Sequence, residues 1–184
     1  MSPELDDALC KKYPEIFADR RGNPSTTAMC WGFDCGDGWY AIIDVLCGLL
    51  MNDAYRAKQD YEIAREIRER IDGGHDVTEW ARAFYTTELL EQRRVDYKAA
   101  IAAIPRAVQV KEKLGGLRFY MSGTTDEQSA YIHMAETMSY RTCEYCGTTK
   151  DAQARKGGWV RTLCPDCARN AGYTLENDDA PAPV

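Results

Sequence analysis

Two stretches near the end of the chain decide how the rest is read: R-T-C-E-Y-C-G-T-T-K, Arg141–Lys150, and T-L-C-P-D-C-A-R-N, Thr162–Asn170. They place four cysteines in the pattern Cys143-x2-Cys146-x17-Cys164-x2-Cys167. A C-x-x-C turn lets two thiolates point at one ion from a single tight loop, and two such turns complete a tetrahedral four-sulfur shell. Gly147 follows the first pair, where the backbone must turn sharply. Soft sulfur ligands select zinc or iron, and the chain lacks the further cysteine runs of a multi-cluster ferredoxin. A catalytic zinc keeps one position open, whereas four sulfurs fill the shell. Cys143, Cys146, Cys164 and Cys167 are therefore expected to hold a structural Zn2+. Its binding energy becomes folding energy for a segment with few apolar residues.

The surrounding chain reads as α+β. Pro3 suits the first turn of a helix running to about Lys12, and Arg20 to Thr27 is a loop by its Gly, Pro and Asn content. Asp37 is expected to cap a helix from Gly38 to about Met51, with Ile42, Ile43, Leu46, Leu49 and Leu50 inward. Ala57, Tyr61, Ala64, Ile67 and Ile71 form one stripe of the next helix, which Gly73-Gly74 stops. Asp76 is expected to cap a third helix, with Val77, Trp80, Ala81 and Phe84 facing the core and a bend near Thr86-Thr87. After Pro105, A-V-Q-V-K-E-K and L-R-F-Y-M-S flank Leu114-Gly115-Gly116 and predict a β-hairpin. Thr124-x-x-Glu127 predicts a capping box, opening a helix with Ala130, Met134 and Met138 on one stripe. The expected division is linear: a mainly helical domain over 1–105, hairpin, helix and finger over 106–172, and a flexible acidic tail over 173–184.

The segment 141–172 resembles a treble-clef or zinc-ribbon finger. C-E-Y-C-G looks like its first knuckle, G-G-W-V-R-T-L like its strand, and C-P-D-C-A-R-N like its short helix. Some treble-clef proteins are HNH nucleases, which need histidines beside the finger. His75 and His133, the two in this sequence, lie outside it. The wider pattern, V-K-E-K-L-G-G-L-R-F-Y with the finger and the N-terminal T-T-A-M-C-W-G-F-D-C-G-D-G-W, resembles small bacteriophage and prophage proteins of unassigned function. That resemblance implies origin rather than mechanism.

Composition limits what else the chain can do. The net charge is −6, so the whole protein is not built to coat nucleic acid. The finger runs the other way. Its six bases, including Lys150, Arg155, Lys156 and Arg161, outnumber three acids, and with Trp159 they form a candidate nucleic-acid or partner contact. Arg169, just past the last ligand, is a candidate hydrogen-bond donor to a cysteine sulfur. A second candidate is the loop W-G-F-D-C-G-D-G-W, where Trp31, Asp34, Asp37 and Trp39 suit a small ligand such as a nucleotide, against the plainer reading of tryptophans packed in a core. Cys10, Cys30, Cys35 and Cys47 read as small buried hydrophobes, Cys30-x4-Cys35 being the one conceivable second metal pair. No nucleophile constellation or phosphate loop appears, so no catalytic residue is expected. The N-terminus M-S-P-E-L-D-D lacks signal-peptide character and no apolar run is long enough to span a membrane, which makes the cytoplasm the expected location. The leading expectation is a zinc-stapled, non-enzymatic accessory protein that docks on a host protein, interfering with a host or antiviral-defence process. A DNA- or RNA-binding regulator and a small-ligand binder are the alternatives.

Overall fold

The computed structural model describes residues 1–173 of the chain. The order of elements is α1 (Pro3–Lys12), β1 (Phe33–Asp34), α2 (Tyr40–Leu50), α3 (Asn52–Asp72), α4 (Glu79–Phe84), α5 (Thr87–Ala102), β2 (Arg106–Lys113), β3 (Gly116–Ser122), α6 (Asp126–Ser139), β4 (Gln153–Arg155), β5 (Arg161–Leu163) and α7 (Pro165–Asn170). Helices lead and small sheets follow, so the fold is α+β. Beyond Tyr173 the expected tail lies outside the described residues.

The chain divides into two units, and the division in space is not linear. Met1–Leu49 and the described residues from Pro105 to Tyr173 form one unit; Leu50–Ile104 form the other. The N-terminal segment joins the β-hairpin because each supplies half of one core. β1 pairs with β2 in parallel, Phe33 opposite Val110, and β2 pairs with β3 in antiparallel fashion. A bulge between Ala107 and Gln109 breaks the two-residue period. It lets Ala107 and Val110, three apart, both be fully buried. Phe17 meets Phe33 and Phe119 edge to face, with centroids 4.9 and 6.3 Å apart. Asp6, almost buried, accepts from Arg20 Nε at 2.9 Å and Nη2 at 3.1 Å, and Arg20 Nη1 donates to the Cys30 carbonyl at 2.9 Å. This bidentate pair ties α1 to the loop that follows.

The hairpin turn is the expected one: Leu114 and Gly115 both have positive φ, 54° and 82°. α6 lies against β3 and satisfies its outer edge. The Ser139 hydroxyl accepts the Leu117 N–H at 2.8 Å, and Glu136 accepts the Phe119 N–H at 2.9 Å. The capping box sits one residue later than expected, on Thr125 and Gln128. The inward face of α6 also differs. Ala135 and Ser139 are buried, while Met134 and Met138 are each 49% exposed. Hydrogen-bonding to β3 through Glu136 and Ser139 turns the methionine stripe outward.

In the second unit α3 and α5 pack antiparallel, with Tyr61 stacked on Tyr97 at 6.0 Å and Asp60 paired with Arg93 at 3.4 Å. Ion pairs along α3 run Lys58–Glu62, Arg65–Glu69 and Arg68–Asp72, each four residues apart. The expected third helix is broken in two at the anticipated bend. Thr78 caps α4 in place of Asp76, and Thr86 caps α5. Trp80 and Phe84 do not face a core: they stack on each other, 66% and 47% exposed. At four residues apart they share the outer face of a two-turn helix.

Candidate metal centre

The four predicted ligands converge. Their sulfurs all lie within 4.8 Å of one another, and Cys146 Sγ is 3.7 Å from Cys164 Sγ. Sulfurs about 2.3 Å from a tetrahedral ion sit about 3.8 Å apart, so the spacing fits one metal of zinc size. Each half of the site is made by local geometry. The first is a knuckle after α6, closed by Gly147 N–H to the Cys143 carbonyl at 2.9 Å and Cys143 N–H to the Thr148 carbonyl at 2.8 Å. Gly147 has φ 76°, which disfavours any side chain there. In the second half, Cys164 caps α7, and its sulfur accepts the Cys167 N–H at 3.5 Å. Pro165 holds the first helical position. The antiparallel β4–β5 hairpin brings the two halves together.

Backbone donors act strongly on one of these sulfurs. Burial pushes the Cys143 thiol up, but the N–H groups of Cys164, Cys146 and Tyr145 outweigh it and bring it down to about 7. The Cys167 thiol goes the other way, pushed up by burial and by the neighbouring sulfurs, and the Cys146 thiol is raised too, the Thr148 N–H being outweighed by burial and the Cys143 and Cys164 sulfurs. The other cysteines are of a different kind. Burial pushes Cys35 up to about 12 and Cys47 well above its ordinary value. Cys10 and Cys30 are half-buried and spend their thiols on Asp6 Oδ1 and the Thr27 carbonyl. Among the described residues, they join no cluster that could hold a metal.

Several hydrogen bonds clamp the finger to the rest of its unit, three of them at its backbone or core. Gly38 N–H donates to the Glu144 carbonyl at 2.8 Å. Trp39, fully buried, donates from Nε1 to the Thr142 carbonyl at 2.9 Å. Thr162 Oγ1 donates to the Gly115 carbonyl at 2.6 Å. The Gly-rich loop of the sequence is therefore the seat of the metal knuckle. A Cβ on Gly38 would stand 2.1 Å from the Cys143 carbonyl oxygen and 2.4 Å from Gly147 N, both backbone. Gly38→Ala should therefore destabilise the protein by on the order of 1–3 kcal/mol or more, read from the urea midpoint at unchanged slope.

The candidate loop residues separate. Trp39 belongs to the core, and Asp37, instead of capping α2, accepts the Ser2 N–H at 2.6 Å. Trp31 is 77% exposed, so the two tryptophans do not converge on one ligand. The finger cations separate too. Arg155 is buried, donating from Nε to the Leu163 carbonyl at 3.0 Å. Arg161 Nη1 pairs with Glu144 Oε1 at 2.7 Å. Lys150, Lys156 and Trp159 remain exposed. Arg169 pairs with Asp166 rather than with a sulfur. Sequence reasoning passed over Glu144. A glutamate between two ligands reads as solvated, yet it is 1% exposed, and burial raises its carboxyl above the usual range against the pull of Arg161.

Among the described residues no helix is long and apolar enough to cross a membrane. The chain matches no protein-family model, no curated protein and no solved structure.

Proposed function

We propose that this chain is a zinc-stapled, non-enzymatic binding protein of phage type that docks on a host protein. The closed shell supports the first part: four thiolates leave no position for water and leave the ion a weak Lewis acid. The observation that carries the second part is an apolar groove between α2 and α6. Ala41, Val45, Leu49, Tyr131, Met134 and Met138 line it. Val45 is 62% exposed. Flexible methionines suit a surface that must fit a partner's side chains, and a groove between two helices suits the apolar face of an amphipathic helix.

The alternative nucleic-acid reading loses support because Arg155 and Arg161 are committed inside the finger. A tagged protein passed through nuclease-treated bacterial lysate is expected to retain one defined protein, and Val45→Glu is expected to release it. Capture that vanishes with nuclease would instead favour nucleic acid. In that case Lys150→Gln with Lys156→Gln should lower the salt slope of binding by about 2.

A further inference from the structure

A polar cleft of about 350 Å³ opens beside the metal knuckle. Asp34, Gly36, Glu112, Glu144, Trp159 and Arg161 line it, with the amino group of Met1. Its charges do not balance. Three carboxylates stand against one guanidinium and one ammonium. Both cations are already engaged, Arg161 with Glu144 and the Met1 amino group with the carbonyls of Phe33 and Cys35.

The unmet hydrogen-bonding capacity is also of one kind. Glu112 is used at both oxygens, by the Gly115 N–H at 2.7 Å and by Trp159 Nε1 at 2.5 Å. Glu144 Oε1 accepts twice, from the Gly36 N–H at 3.1 Å and from Arg161. Glu144 Oε2 is buried and has no hydrogen-bond partner. A buried acceptor without a donor is rare in a folded protein and points to a missing partner. Trp159 adds a wall. Its indole is held by Glu112 yet 62% exposed, so an aromatic surface is kept in one orientation in solvent. Carboxylates beside a fixed indole recognise a positive, N–H-rich group.

We propose that this cleft binds an organic cation through a guanidinium or primary ammonium head group, with Glu144 Oε2 and Asp34 as acceptors and Trp159 as the aromatic wall. The inference does not rest on the docking reading. The head group has two sources, a free amine or the side chain of an arginine or lysine in a protein.

Calorimetric titration of the full, metal-loaded chain tests this, with agmatine, putrescine, N-acetyl-arginine methylamide and inorganic phosphate as probes at constant ionic strength. A cationic probe is expected to bind saturably below about 1 mM. Asp34→Asn and Trp159→Ala should each weaken it about tenfold, with metal content unchanged. Agmatine and the arginine peptide binding alike would assign recognition to the head group alone; binding of the peptide only would assign it to a protein side chain. No saturable cation binding by the folded, metal-loaded chain overturns the proposal. So does binding unaffected by both variants, or a preference for phosphate.

Discussion

Stripping the metal with a strong chelator, or replacing Cys143 by serine, is expected to unfold the finger and loosen the clamp on the N-terminal loop. The reason is the size of the finger's own core. Its buried cluster is Cys143, Leu163, Cys164 and Ala168, and two of these four are ligands. So few apolar side chains cannot offset the ordering of some thirty residues, about 1–2 kcal/mol each for the backbone alone. A structural zinc contributes on the order of 10 kcal/mol, comparable to the 5–15 kcal/mol total stability of a domain. Without it, thiolates within 4.8 Å of one another repel. Native-state hydrogen exchange reads the result. The Gly38 N–H, whose acceptor is the Glu144 carbonyl, should lose protection together with Cys143 and Glu144. Residues 52–102 carry no cysteine and serve as the internal reference. Elemental analysis should find one metal per chain before treatment and none after. Acid acts in the same direction, because protons compete with the ion for the sulfurs. Unchanged exchange at Gly38 after complete metal removal would show that the finger folds without its staple.

Trp39→Ala is expected to destabilise the protein by about 3–5 kcal/mol, the cost of emptying the space of a large buried aromatic. Trp39 is fully buried, and its indole N–H ends on the Thr142 carbonyl, one residue before the first ligand. The substitution removes packing and leaves that carbonyl without its donor. Trp39→Phe separates the two effects. It keeps most of the apolar volume and loses the hydrogen bond, so it should cost about 1–3 kcal/mol. Urea unfolding of the metal-loaded protein measures both. A cost for the alanine variant no larger than for phenylalanine would mean that packing at this seam carries little of the stability.

The legible features of the sequence were those whose causes lie within a few residues. The ligand set is one: two residues between cysteines make a knuckle wherever the chain goes. The helix from Asn52 to Asp72, its stop at Gly73-Gly74 and the Leu114-Gly115 turn are others. Each follows from periodicity or from a positive φ that only local chemistry must satisfy.

Direction was less legible. The stripe of Ala130, Met134 and Met138 is regular, and so is the pair Trp80 and Phe84. Periodicity shows that residues share a face; it does not show which face meets a neighbour. On α6 the choice went to Ser139 and Glu136, polar residues that complete the edge of β3. Arg155 looked like a phosphate contact and became a buried donor to the Leu163 carbonyl, because a finger this small uses long side chains to satisfy its own backbone.

By itself, then, the sequence determined the set of four clustered cysteines and the α+β order of elements. The tertiary structure alone decided that the Gly-rich loop near residue 36 seats the knuckle near residue 143, and that Asp34, Glu112, Glu144 and Trp159 line one cleft. These groups are separated by up to 125 positions, and no spacing rule spans such a gap. They meet because two glycines, Gly36 and Gly38, leave no side chain between the loop and the finger's backbone.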